Sequence, residues 1–163
     1  MIRRSLLVLS VLFSVFAFAQ APSVSFESAT PVVTSAGRPA QVTLTFRVGD
    51  GFHINSNKPL DELLVATQVK LSPPTEIMIS NIRYPAGQML NFPFSPETKL
   101  SVYSGVFKVT ATVRPARNMP LGTFRVHGDL KFQACNDRQC FPPKTTPLHF
   151  DVKIQRPKKS HRG

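Results

Sequence analysis

Period-two alternation of apolar and polar residues along most of the chain, turn-forming residues between the alternating runs, and the lack of any helical period together predict an all-β fold, an immunoglobulin-like antiparallel β-sandwich. The 15 prolines among 163 residues fit that expectation, because proline is excluded from helix interiors and central ladders and collects in connections and at edges. Only two cysteines are present, too few for a disulfide-framework miniprotein, so the core must be packed with at most one bridge assisting.

The N-terminus carries Arg3-Arg4, an uncharged run from Ser5 to Ala19, and small-residue cleavage contexts at Ala17-Phe18-Ala19 and Ala19-Gln20-Ala21. This is the three-part layout of a secretory signal peptide, expected over residues 1–19, with the mature chain beginning near Gln20. The run is shorter than the roughly 20 apolar residues a bilayer core requires. No later segment is long enough to span, so no integral membrane protein is expected after processing. No cysteine lies at the cleavage region to carry a lipid anchor. About 140 residues then remain, room for one domain with a real core, expected over residues 22–154. Residues 155–163 read as a basic, disordered tail.

Formal net charge is +11, and loss of Arg3 and Arg4 leaves +9. Part of the excess sits in Lys153, Arg156, Lys158, Lys159 and Arg162. A basic exported protein meets acidic partners, anionic lipid or cell-wall polymer. Nucleic acid is not expected in that compartment, and no aromatic-basic binding motif is found.

The strands follow in order. Val42, Leu44, Phe46 and Val48 alternate with Gln41, Thr43, Thr45 and Arg47, which places one set inward and the other outward on a half-buried strand. Gly49-Asp50-Gly51 ends that run. Shorter strand-like runs cover Gln68 to Leu71 and Ile77 to Tyr84, followed by turns at Ser72-Pro73-Pro74 and Pro85-Ala86-Gly87. Phe107, Val109, Ala111 and Val113 repeat the alternation, and turn residues return from Arg117 to Gly122. The next strand sets Phe124, Val126, Gly128, Leu130, Phe132 and Ala134 on one face and Thr123, Arg125, His127, Asp129, Lys131, Gln133 and Cys135 on the other. By that parity Cys135 points away from the main core. Alternation resumes at Leu148, Phe150, Val152 and Ile154, so Cys135 and Cys140 flank a four-residue connection at the top of a hairpin.

Facing residues of an antiparallel pair have Cα atoms about 4.5 to 5.5 Å apart, so a Cys135–Cys140 bridge is geometrically available. Closing so short a ring stabilises by only about 2 kcal/mol in the chain-entropy model. A local, outward-facing pair is better placed for exchange with another protein's thiols, through thiolate attack, a mixed disulfide and resolution by the second cysteine. The alternative is a non-catalytic interaction module whose bridge is a structural clip. An unperturbed thiol is only about 3% thiolate at pH 7. Lys131, Arg138 and Lys144 favour the thiolate, and Asp137 opposes it. Pro142 and Pro143 remove two backbone donors beside Cys140 and keep the ladder from closing over the pair.

A Cys2His2 metal site would need His127 and His149 beside the cysteines, yet eight strand residues separate His127 from Cys135, about 26 Å at 3.3 Å each. Both histidines fall in outward register and read as surface residues. No metal or other cofactor is expected. No phosphate-binding glycine loop, nucleophile elbow or HExxH pattern occurs.

Phe132-Gln133-Ala134-Cys135, four intervening residues, then Cys140-Phe141-Pro142-Pro143 resembles the active-site motif of the N-terminal periplasmic domain of the thiol:disulfide interchange protein DsbD. Asp50-Gly51-Phe52-His53 resembles that domain's early glycine-aromatic strand. The resemblance is sharp over residues 130 to 143 and loose elsewhere. It implies an immunoglobulin-like fold, a periplasmic location and protein-disulfide reductase activity through Cys135 and Cys140, with Cys140 as the site of the mixed disulfide. It also implies a cap loop, for which Asn91-Phe92-Pro93-Phe94 is in the corresponding region, so that Phe92 or Phe94 would shield the sulfurs. The acidic residues that often precede the family's cap aromatic are missing. His53 is then the candidate proton acceptor, against an ordinary surface role. Partners are expected to be periplasmic thiol–disulfide proteins. No segment resembles a transmembrane electron channel or a thioredoxin-like domain, so the domain is expected to borrow electrons from a separate membrane electron-transfer protein, to work as an exchange shuttle, or to have kept binding without catalysis.

Overall fold

The computed structural model describes residues 23–157. The proposed signal peptide and most of the basic tail lie outside the described residues. Twelve strands follow one another, with no helix among the described residues. They are β1 (Val24–Ala29), β2 (Val32–Thr34), β3 (Ala40–Val48), β4 (His53–Asn55), β5 (Gln68–Ser72), β6 (Ile77–Arg83), β7 (Gln88–Phe92), β8 (Ser95–Tyr103), β9 (Val106–Pro115), β10 (Gly122–Phe132), β11 (Ala134–Cys135) and β12 (Lys144–Ile154).

The strands with clear alternation form the body of an immunoglobulin-like sandwich. One sheet has the order β1-β3-β9-β6 and a second β2-β12-β10-β5. Val42, Leu44, Phe46 and Val48 of β3 and Phe107, Val109, Ala111 and Val113 of β9 are all buried. From the other sheet come Val126, Leu130 and Phe132 of β10 with Leu148, Phe150, Val152 and Ile154 of β12. These belong to one contiguous core, where each fully buried aliphatic or aromatic side chain contributes about 1.5–3 kcal/mol of transfer free energy. Phe46 anchors it, its ring 5.3 Å from that of Phe107 and 5.6 Å from that of Phe26. The expected hairpin is present as an unbroken β10–β12 ladder from Gly122↔Ile154 to Phe132↔Lys144.

Two features depart from a plain antiparallel two-sheet design. β2 runs parallel to β12, with Val32 opposite Val152. A third sheet, β11-β4-β8-β7, is built from segments whose alternation is weak. β4 is buried at all three positions, and β8 passes from mostly exposed residues to four consecutive buried ones. Ile54, Tyr103 and Ala134 join this sheet to the main core. The cysteines lie on it.

Candidate functional site

The chain leaves the β10–β12 ladder after Phe132, and β11 then pairs with β4 rather than β12, placing Cys135 opposite His53 and Ala134 opposite Ile54. Gly49-Asp50-Gly51 makes the turn that delivers β4. The amide of Phe52 donates to Gly49 O over 3.2 Å, and Gly51 takes a φ of +75°, a left-handed conformation that glycine adopts without cost. On the other side, Cys135 and Cys140 are backbone partners and are joined by a disulfide, with Cα atoms 3.9 Å apart.

The residues between the cysteines form a turn that holds itself. Asn136 Oδ1 accepts from the amides of Arg138 and Gln139, both at 2.9 Å, an Asx-type arrangement. The Asn136 amide donates to Gln139 O over 2.9 Å, and that of Phe141 to Ala134 O over 2.8 Å. Pro142 and Pro143, which have no amide proton, separate this small hairpin from β12.

The expected accessibility of both sulfurs is not met. Cys135 is 0% exposed, whereas Cys140 is half-buried. Cys135 is not in the main contiguous cluster but is fully buried, so the outward position expected from strand parity does not leave it exposed. One cysteine is therefore sheltered and its partner is the one reachable from solvent.

His53 is likewise not a surface residue. It is 4% exposed and stacks on Phe92, with ring centroids 3.8 Å apart and planes 15° from parallel. Phe92 ends β7 at the tip of the β7–β8 hairpin, and Phe94, in the turn, extends the stack 5.6 Å further on. Phe92, Phe94, His53 and Cys135 thus lie in one neighbourhood, with Phe92 partly buried and Phe94 38% exposed. Burial lowers the His53 pKa, opposed by the nearby Asp137 carboxylate, which on balance favours the neutral imidazole. Its Nε2 is buried with no hydrogen-bond partner.

Sequence reasoning missed the support beneath the site. Gln133 Oε1 accepts from Asn55 Nδ2 and from the Val65 amide, both at 3.1 Å, and Asn55 Nδ2 also donates to Val65 O. These bonds tie β4 to the 62–66 loop and to the residue before β11. Phe52 packs edge-on against Phe141, with ring centroids 5.9 Å apart. Aromatics adjoining both Gly51 and Cys140 were a legible signal for that contact. The histidines His127 and His149 face each other across β10 and β12 on the exposed side, several strand positions from Cys135.

The site is a local disulfide with one sheltered and one reachable sulfur, carried on an accessory sheet of an immunoglobulin-like β-sandwich. That places the molecule among thiol–disulfide domains. More particularly, the chain belongs to the family of the N-terminal domain of the thiol:disulfide interchange protein DsbD, which matches residues 20–151. No curated protein matches it. Among solved structures it is similar to the N-terminal periplasmic domain of ScsB from Proteus mirabilis, with a TM-score of 0.51 and 12% identity over 82% of this chain and 52% of that one. It is also similar to the reduced DsbD N-terminal domain of Neisseria meningitidis, with a TM-score of 0.45 and 20% identity over 72% of this chain and 80% of that one. A third similar structure is that domain in complex with the PilB N-terminal domain, with a TM-score of 0.44 and 18% identity over 73% and 81% of the two chains.

Proposed function

We propose that the protein is a periplasmic thiol:disulfide exchange domain that passes reducing equivalents to other exported thiol–disulfide proteins through Cys135 and Cys140. The observation that carries this reading is the asymmetry of the pair: a sheltered Cys135 bridged to a reachable Cys140 on a self-supporting turn. Exchange requires in-line approach to one sulfur, and a second thiol held within bonding distance resolves the mixed disulfide. Cys140 forms the bond to the partner and Cys135 resolves it. Membership of a thiol:disulfide interchange family supports exchange through this pair. Phe92, with Phe94 beyond it, shields Cys135 from small oxidants by covering the face of the third sheet. The protein-disulfide reductase direction needs a donor, expected to be a separate membrane electron-transfer protein. The signal peptide at residues 1–19 delivers the domain to the periplasm. Among the described residues no helix is long and apolar enough to cross a membrane.

The deciding experiment equilibrates the mature domain with thiol/disulfide buffers of defined potential and counts free thiols by mass. A potential between roughly −180 and −270 mV is expected of an exchange protein, and one below about −300 mV would mark a structural bridge and leave binding as the function. Cys135→Ala should then trap a mixed disulfide on Cys140.

A further inference from the structure

The oxidised site contains a defect. His53 Nε2 is buried without a hydrogen-bond partner, although buried polar atoms are ordinarily hydrogen-bonded. His53 and Cys135 are direct partners across β4 and β11, and such pairs share one face of a sheet with Cβ atoms about 4.5–5.5 Å apart. Cys135 is in turn the direct partner of Cys140. Cross-strand pairing thus links the three residues, and Phe92 stacks on the imidazole. A disulfide has no proton to offer that nitrogen. A Cys135 thiol has one.

Resting on the exchange reading above, we infer that His53 is the proton acceptor of the resolving cysteine: its unpartnered Nε2 accepts the Cys135 thiol hydrogen bond in the reduced domain and takes that proton when Cys135 attacks. In the resolving step Cys135 passes its proton to Nε2 and its thiolate attacks Cys140 Sγ. The Cys135–Cys140 bond forms as the bond from Cys140 to the partner's sulfur breaks. The partner leaves as a thiolate and recovers a proton from the imidazolium or from water. The domain's dithiol is oxidised, and the partner's disulfide is reduced. A neutral imidazole is what the step requires, and burial keeps His53 in that form. Phe92 excludes the water that would otherwise satisfy Nε2 and remove its preference for the thiol.

The inference predicts two separable effects. His53→Leu removes the acceptor, so the equilibrium with glutathione moves toward the disulfide by about fivefold, the equivalent of one hydrogen bond of about 1 kcal/mol. Resolution of a preformed mixed disulfide on Cys140 slows by about tenfold or more, as for loss of a general base. His53→Gln keeps an acceptor but no base, and it restores the equilibrium without restoring the rate. In the unsubstituted domain the ¹⁵N resonance of His53 Nε2 moves on reduction as that of a nitrogen gaining a hydrogen-bond donor. An Nε2 resonance that is the same in both redox states overturns the inference. So does a His53→Leu variant with unchanged equilibrium and resolution rate beside an exchange-active parent. A parent domain that forms no mixed disulfide at all overturns the exchange reading and this inference with it.

Discussion

Reducing the Cys135–Cys140 bridge should leave the domain folded and only modestly less stable. The ring spans a sequence separation of 5, for which loop-closure entropy gives about 2 kcal/mol. The native state loses little else, because the Asn136 bonds and the Phe141–Ala134 bond hold the turn without the sulfurs. The core residues of β3, β9, β10 and β12 do not depend on the bridge. Against a total of about 5–15 kcal/mol for an ordinary domain, that loss is affordable. With a urea m-value of about 2 kcal/mol/M, the midpoint should fall by about 1 M at unchanged slope. The chain has no tryptophan, so far-UV circular dichroism of oxidised and phosphine-reduced protein in parallel urea series is the suitable assay. A reduced domain that unfolds without cooperativity, or a midpoint lower by more than about 2 M, would show that the disulfide staples the fold and would refute the argument that its location frees it for exchange.

The two sulfurs should differ in reach: with Cys135→Ala the remaining Cys140 should react with an aromatic disulfide reagent at least about tenfold faster than Cys135 does in Cys140→Ala, and equal rates would contradict the burial difference. Phe92→Ala should speed alkylation of Cys135 in the reduced domain severalfold, measured by mass against time; no change would remove Phe92 from any shielding role. His53 has a folded-state pKa below its ordinary 6.5, so the unfolded chain binds more protons in that window, and the stability present above pH 6.5 is lost as pH falls toward the folded value. A pH series of urea midpoints should show this slope in the parent and a flatter one in His53→Leu. In Gly128→Ala the new Cβ would lie 2.5 Å from Lys70 O and 2.7 Å from Leu71 Cδ2, forcing β10 from β5 at a cost of about 1–3 kcal/mol; an unchanged urea midpoint would show that these strands have room to part.

The sandwich body was legible because its strands each have one core face and one solvent face. β3, β9, β10 and β12 show that contrast at nearly every position. The third sheet was not legible for the opposite reason. β4 is buried on both faces, and β7 is exposed at all but its last residue, so period two carries no contrast in either. The Cys135–Cys140 pairing could be read from local spacing, since both ends of the β10–β12 hairpin announce themselves. The exposure of Cys135 could not, because parity tells which face of a strand a side chain takes and is silent about what covers that face. The same gap hid the burial of His53. Phe92 and Phe94 were singled out only by resemblance to the family, and no periodicity in Asn91 to Phe94 marks them as partners of a histidine some forty positions earlier.

The accessory sheet accounts for how a rigid sandwich would carry the exchange pair proposed above. A disulfide between the two main sheets would be inaccessible to a partner, and one on an exposed hairpin tip would leave both sulfurs open to any thiol. Diverting the chain after Phe132 from β12 to β4 does neither: it buries Cys135 and leaves Cys140 partly exposed. Burial of Cys135 raises the cost of its thiolate, since a charged sulfur is poorly solvated there. A group at that position which accepts the proton, and is itself too buried to be charged at rest, lowers that cost only when attack begins. Cys140, on the solvent side, needs no such help to meet a partner. Shelter for one sulfur and access for the other therefore follow from a single change of strand partner, made between Phe132 and Ala134.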